Sequence, residues 1–156
     1  MHQDVSMKTF LVALDSSPRA PAVLRAAAEL ARASDAKLLL FRVVGLPNEL
    51  PLEAYAMSPD GVIQALSERA QRELDELARV LRGNLPFETK VEIGTPWQAI
   101  CKAGTAAGAA LIVIGSHGYS GIDRLLGTTA ARIVNHADRS VLVVRASKSA
   151  EERQPA

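Results

Sequence analysis

The sequence has one cysteine, few aromatic residues and almost no net charge over its 156 residues. Because Cys101 is the only cysteine, no disulfide can form within the chain, which favours a reducing compartment, and we expect a cytoplasmic protein. Lysine and arginine number 18 against 17 aspartates and glutamates, so the net charge of +1 gives no field that attracts nucleic acid. Aromatic residues, at 4%, are too few for the stacking surfaces that bind single-stranded nucleic acid. We therefore expect no nucleic acid partner.

Long hydrophobic runs are also absent. The longest run, around residues 106–115, has about half the length of a membrane-spanning helix, and the run over 10–14 is too short for a signal peptide. Hydrophobic residues still make up 48% of the chain, which is enough for one core. We expect one domain over residues 8–146, no membrane contact, a flexible extension over 1–7 and a disordered tail over 147–156.

Hydrophobic periodicity predicts strands that alternate with helices along the chain. Strands are expected over 9–14, 37–44, 87–93, 110–114 and 141–145, and helices from Pro18 onward and over 63–81, 96–108 and 128–137. Ser17 before Pro18, and Thr95 before Pro96 with Gln98 following, have the form of helix caps. This order predicts an α/β fold, an open five-stranded parallel sheet with helices on both faces. Folds of this kind bind ligands beyond the carboxyl ends of the strands.

The strands differ in pattern, which predicts their places in the sheet. Residues 87–93 alternate between apolar and polar side chains and favour an edge strand, whereas the strands ending at Leu14, Val44 and Ile114 are apolar on both faces and favour the centre. The last strand is equally apolar. If it forms the other edge, its unpaired backbone groups predict that a second copy of the chain covers it.

A glycine-rich segment follows the fourth predicted strand and precedes the last helix. Gly115, Gly118 and Gly121 recur every third residue, and Gly127 precedes two threonines. Glycines let the backbone approach a ligand closely, and the amides and hydroxyls at a helix start suit a phosphate. No G-x-x-x-x-G-K-[ST] occurs, and no G-x-G-x-x-G follows the first strand. Without a P-loop lysine, the segment favours phosphate binding over rapid turnover.

Other readings of these residues are weaker. Asp15 ends the first strand as in phospho-accepting receiver domains, but Ser16, Gly94 and Arg145 stand where such domains need two acids and a lysine. A role for Asp15 as a helix cap alone remains open. The serines beside His117 do not form G-x-S-x-G, so an acyl-transfer site is disfavoured. Three histidines and one cysteine have no metal-ligand spacing, and we expect no metal site built from them.

With these residues, the chain over about 8–146 resembles the universal stress proteins of the UspA type. The family pattern is G-x2-G-x9-G-[ST] after the fourth strand, with an aspartate at the end of the first. Asp15, Gly115, Gly118 and Gly127-Thr128 match it. Eight residues separate Gly118 from Gly127, where the nucleotide-binding branch of the family usually has nine.

The resemblance implies a Rossmann-like sheet of order 3-2-1-4-5 with ATP, with or without Mg²⁺, across the ends of the first and fourth strands. It implies that Asp15 contacts the ribose or adenine side, that Ala13 and Leu14 line the base pocket, and that the backbone of Val43 contacts adenine. Glycines and threonines would surround the phosphates. The implied binding residues are Ala13, Leu14, Asp15, Val43, Gly115, His117, Gly118, Gly127, Thr128 and Thr129.

The resemblance further implies a homodimer and a regulatory role. The dimer would form through the last strand, that is Val141, Leu142, Val143 and Val144. We expect an ATP-binding universal stress protein that acts through an unidentified protein partner in the stress response, with at most weak ATPase activity. Two alternatives stay open, a slow ATP hydrolase and a nucleotide-free dimeric interaction protein.

Overall fold

A computed structural model describes residues 7–45, 56, 58–81, 83–116 and 126–145. The described residues form one parallel sheet of order β3-β2-β1-β4-β5. The predicted α/β class, the alternation and the strand order are confirmed. The terminal tail expected over 147–156 and most of the extension expected over 1–7 lie outside the described residues. The elements are β1 Lys8–Ala13, α1 Ala20–Ser34, β2 Ala36–Val44, α2 Pro59–Ala78, β3 Phe87–Ile93, α3 Pro96–Ala106, β4 Leu111–Gly115, α4 Thr128–His136 and β5 Ser140–Val144.

The order of the sheet follows the hydrophobic patterns of its strands. Strands β1, β2 and β4 lie inside and carry most of the fully buried side chains. Strand β3 lies at one edge, where Glu88 and Lys90 are exposed, and β5 lies at the other, with four half-buried apolar residues. Both predicted edges are therefore correct.

The helices cover the two faces of the sheet as separate layers. Successive strand residues point to opposite faces, so each strand contributes to both cores. Helices α1 and α2 pack with Phe10, Val12 and Leu38, whereas α3 packs with Leu11 and Phe41 on the other face. Helix α4 joins this second layer through Ala130 and Ile133. The carboxyl edge of the sheet thus lies between two layers of helices.

The start of α1 differs from the prediction. Ser17 was expected to cap a helix beginning at Pro18, but α1 begins at Ala20 and its N-cap is Arg19, without a side-chain hydrogen bond. The hydroxyl of Ser17 accepts from the Arg19 N–H at 3.3 Å, and its carbonyl accepts from the Ala20 N–H at 3.2 Å. These bonds form a turn ahead of the helix, which explains the later start.

Two other helix starts also differ from the sequence pattern. Thr95 precedes α3 as expected, but its side chain makes no capping hydrogen bond, so the predicted capping box does not form. Helix α2 instead begins earlier than predicted, because the Ser58 hydroxyl accepts from the Gly61 N–H at 3.1 Å and caps it. Helix α2 ends at Ala78 rather than at residue 81.

An ion-paired cluster joins α2 to the end of β2. The Glu73 carboxylate accepts hydrogen bonds from Arg69, at 3.0 Å, and from Arg42. The hydrogen bond from Arg69, together with that from Arg42, lowers the pKa of Glu73 below its ordinary value. The carboxylate is therefore ionised at neutral pH, and it anchors α2 beside the last residues of β2.

Candidate functional site

The carboxyl ends of the central strands meet at one edge of the sheet. The Leu14 N–H, just after β1, donates to the Phe41 carbonyl of β2 at 2.9 Å. The Ser116 N–H, just after β4, donates to the Val144 carbonyl of β5 at 3.1 Å. Since β1 pairs with β4, these bonds fix the first residues after β1 and after β4 in position along the edge.

The start of α4 is tied to this same edge. The Gly127 N–H donates to the Ser116 carbonyl at 3.2 Å, which brings the N-terminus of α4 to the end of β4. Gly127 is buried and has extended backbone angles, φ −60° and ψ 158°, as the N-cap. Because any residue can adopt this φ, the backbone angles alone do not require glycine at position 127.

The first turn of α4 presents donors at this position. The first intrahelical bond runs from the Ala131 N–H to the Gly127 carbonyl at 2.9 Å. The amides of Thr128, Thr129 and Ala130 precede it and have no partner within the helix. Gly127 supplies no side-chain cap, and both threonine side chains are exposed. Amides and hydroxyls therefore lie together at the positive end of a helix dipole, the arrangement that suits an anion.

Asp15 lies beside this edge with an exposed side chain. Its Oδ1 accepts a hydrogen bond from the Ser17 N–H at 3.0 Å, which stabilises the turn after β1. The N-cap of α1 is Arg19, so the alternative that Asp15 serves as the cap of α1 is wrong. The carboxylate thus orders its own loop at the end of the central strand.

The two residues predicted to line the base pocket, Ala13 and Leu14, have side chains on opposite faces of the sheet, and Val43, predicted to contact adenine through its backbone, lies on the face of Ala13. Ala13 and Val43 are half-buried and pack with the α3 and α4 layer. Leu14 lies in the core beneath α1 and α2 with 4% of its surface exposed. The structure therefore brings Ala13 and Val43 to one face of the sheet and directs the Leu14 side chain into the opposite core.

Of the remaining residues predicted to bind nucleotide, some lie in the part of the chain that the structure describes and others do not. Gly115 is the last residue of β4, pairs with Val144 in the sheet register and is half-buried. His117 and Gly118 lie outside the described residues. The predicted glycine segment is thus described at its two ends.

Ser116 has a backbone role that the sequence did not indicate. Its N–H and carbonyl bond to Val144 and Gly127, so it joins the sheet to the start of α4. Sequence reasoning considered its hydroxyl as a nucleophile, but these contacts use backbone atoms that every residue has. In the sequence, only the position of Ser116 between a buried strand and the start of a helix could have suggested these backbone hydrogen bonds.

Trp97 contacts α4 from the first turn of α3. Its ring lies 4.8 Å from the His136 ring, centroid to centroid, with the planes tilted by 44°. The Arg132 guanidinium carbon lies 5.9 Å from the centroid of the Trp97 ring. His136 Nδ1 lies 2.8 Å from the Arg132 carbonyl, and because a carbonyl only accepts, the ring donates there. His136, the last residue of α4, thus donates one hydrogen bond to the carbonyl of Arg132, one helical turn earlier.

Metal-binding and membrane-spanning features are not found in the part of the chain that the structure describes. No cluster of three or more His, Cys, Asp or Glu side chains there could hold a metal ion. Over the same residues, no helix combines the length and apolar character needed to cross a bilayer. Cys101 is half-buried against the α3 and α4 core, and burial, together with Asp138, raises the pKa of its thiol. This environment fits a packing role.

Comparison with known proteins gives consistent results. A family model described as the universal stress protein family matches residues 7–145. A curated relative from Staphylococcus epidermidis that bears the same family name is 30% identical over 153 residues, covering 97% of this chain and 92% of the relative. A crystal structure of a universal stress protein family member from Burkholderia pseudomallei is 30% identical with a TM-score of 0.69, covering 89% of this chain and 96% of that one.

A more distant solved structure is similar in fold. It is the universal stress protein from Archaeoglobus fulgidus in complex with dAMP, which is 23% identical with a TM-score of 0.55. The likeness covers 87% of this chain and 96% of that one. At this level of identity, the likeness shows the shared fold alone.

Proposed function

Since the chain belongs to the universal stress protein family, we propose that it binds ATP, with or without Mg²⁺, and acts as a nucleotide-dependent regulatory module in the stress response. The regulatory signal would pass to a protein partner through the nucleotide-bound surface. The observation that carries this proposal is the start of α4, where backbone amides and threonine hydroxyls lie beside the end of β4. Such a set of neutral donors holds phosphates without a basic surface, which explains how a chain of net charge +1 could bind a triphosphate.

The other end of the nucleotide would lie toward β1 and β2. Asp15 ends the central strand with an exposed carboxylate, which suits hydrogen bonds to a ribose hydroxyl or an adenine amino group. Ala13 and Val43 offer half-buried apolar surface on one layer. That a protein with this fold was solved with dAMP supports an adenine nucleotide as the ligand class.

Binding is favoured over rapid hydrolysis as the main activity. The sequence has no P-loop lysine to stabilise a transferring phosphoryl group. Asp15, the acid at this edge, already accepts a hydrogen bond from its own turn. A regulatory role that depends only on whether nucleotide is bound needs no catalytic lysine and no catalytic carboxylate.

Analysis of the purified protein tests the proposed ligand directly. We expect denatured protein to release ATP that mass spectrometry identifies, or, if it is purified without nucleotide, to titrate with ATP in a calorimeter at one site per chain. GTP serves as the matched control, because it has the same phosphates on a different base. Recovery of ADP with phosphate release over time would instead support a slow hydrolase. A protein that carries no nucleotide and gives no heat with ATP would contradict the proposal and favour the nucleotide-free interaction protein.

We propose further that the protein is a homodimer joined through β5. Among the described residues this strand pairs with β4 alone, and Val141, Leu142, Val143 and Val144 are apolar and half-buried. The opposite edge, β3, carries the charged residues that protect an edge from pairing, namely Glu88, Lys90 and Glu92.

The dimer is tested by sedimentation velocity. We expect the mass of two chains for the natural protein and of one chain for Leu142→Lys, because a charge on β5 opposes strand pairing. Val80→Lys is the control, since Val80 is an exposed apolar residue following α2. A natural protein that sediments as a single chain would contradict the dimer.

A further inference from the structure

Trp97 of α3 contacts Arg132 and His136 of α4, where these two helices pack against each other. Trp97 is half-buried, whereas Arg132 and His136, one helical turn apart on α4, are exposed. It is the only tryptophan of the sequence. The proposed nucleotide site uses none of Trp97, Arg132 and His136, so it leaves this stack unexplained.

Helix α4 is the shortest helix of the described residues. It has nine residues, and only Ala130 and Ile133 are buried. Helices shorter than about 12 residues are not stable alone in water, so tertiary packing must hold them in place. With one small and one large buried side chain, α4 has little core packing to fix its orientation on α3.

The two ends of α4 are held in different ways. At its start, the Gly127 N–H bonds to the Ser116 carbonyl. Toward its end, the Trp97 ring packs against the Arg132 guanidinium and the tilted His136 ring, a cation–π contact and an aromatic pair. His136 also donates to the Arg132 carbonyl, so both groups that contact Trp97 are linked to the same turn. The stack therefore holds the second half of α4 against α3, together with the buried Ile133 and the hydrogen bond from the Thr105 hydroxyl of α3 to the Asp138 carboxylate, just past α4.

From this arrangement we infer that Trp97 is a positioning residue for the phosphate end of the nucleotide site. The inference rests on the proposed function. By holding the last turns of α4 against α3, Trp97 keeps the amides of Thr128 and Thr129 aimed at one point beside β4. Without the stack, α4 occupies several orientations, and triphosphate affinity falls with the fraction of molecules that keep the binding one.

The first measurement is hydrogen exchange in the protein without nucleotide. In Trp97→Leu we expect amides of α4 to exchange roughly tenfold faster, the size expected for loss of an aromatic pair and a cation–π contact, with β1 and β2 unchanged. Trp97→Phe keeps a ring and should recover part of the protection. Gln98→Ala, at the exposed neighbouring position of α3, is the control and should exchange like the natural protein.

A second variant removes the stack without touching the half-buried ring. Arg132→Ala together with His136→Ala changes two exposed residues, and alanine has the higher helix propensity. Helix propensity alone would therefore slow the hydrogen exchange of the α4 amides in this variant. Faster exchange of α4 in this variant assigns the loss to the stack. Unchanged exchange in both this variant and Trp97→Leu would overturn the inference, whether or not the protein binds ATP.

The second measurement separates positioning from general stability. In Trp97→Leu we expect ATP affinity to fall roughly fivefold while adenosine affinity stays the same, because only the phosphates contact α4. Equal losses for ATP and adenosine, or faster exchange of α4 with unchanged ATP affinity, would overturn the positioning role. Absence of ATP binding by the natural protein would instead contradict the proposed function, while the exchange experiment still decides whether the stack holds α4.

Discussion

Proline in place of Thr128 is expected to weaken ATP binding roughly 10- to 100-fold, the size of one lost hydrogen bond to a charged group, while the melting temperature stays unchanged. Thr128 is the first residue of α4, and its N–H is one of the donors proposed to hold a phosphate. Proline has no N–H, so the variant deletes one backbone donor at the site. Calorimetric titration with ATP and a thermal melt measure the two quantities.

The fold should tolerate this proline for local reasons. Proline is common at the first position of a helix, because the amide there has no intrahelical partner. Gly127, which precedes it, has φ −60° and ψ 158°, within the extended region that a residue before proline prefers. The hydrogen bond from the Gly127 N–H to Ser116 is also retained, since it does not involve residue 128.

A matched variant separates the amide from the side chain. Thr128→Val removes the hydroxyl, keeps the N–H and has nearly the same shape, so we expect a smaller loss of ATP affinity than with proline. Adenosine should bind equally to both variants. If the proline variant binds ATP as tightly as the natural protein, the start of α4 is not the phosphate site.

Much of the fold could be predicted because four of the five strands carry a pattern that matches their place in the sheet. The strands ending at Leu14, Val44 and Ile114 are apolar on both faces, which predicted central strands, and the alternation in β3 predicted an edge, whereas the equally apolar β5 lies at the other edge. Helix starts were less predictable, since several groups compete locally for the same backbone donors. At the start of α1, Asp15 and Ser17 bond to nearby N–H groups and form a turn, so the serine before Pro18 does not act as a cap.

The place of the candidate site in the fold, between β4 and α4, could be predicted, but its backbone connections could not. The spacing of glycines and threonines predicted a binding segment between β4 and α4. The hydrogen bonds of Ser116 to Val144 and Gly127 depend on how the sheet and the helix meet. They could not be predicted from the residue types, because every residue has the backbone carbonyl and all but proline have the N–H that form them. The stack of Trp97 on His136 likewise joins residues far apart in the chain, and the packing angle between α3 and α4 decides it.

The largest effect on stability is expected for Phe41→Ala, which should lower the free energy of unfolding by about 3–5 kcal/mol. Phe41 is fully buried between the sheet and the α3 and α4 layer, and it is among the largest such side chains of the described residues. Alanine would leave a cavity in a core that cannot fully close around it. Such a loss is a large part of the total stability of a domain, about 5–15 kcal/mol. Urea denaturation followed by circular dichroism measures it.

Phe87→Ala is the matched control, because it makes the same chemical change in the same sheet. Phe87 lies at the start of the edge strand β3 with 43% of its surface exposed, so its removal should cost less than about 1 kcal/mol. Phe41→Leu, which keeps most of the buried volume, should fall between the two. Equal losses at Phe41 and Phe87 would contradict the two-layer core described above. The Phe41 carbonyl also accepts a hydrogen bond from the Leu14 N–H at the edge of the candidate site. Alanine at position 41 keeps this carbonyl, so the loss of stability in the variant reports the side-chain packing alone.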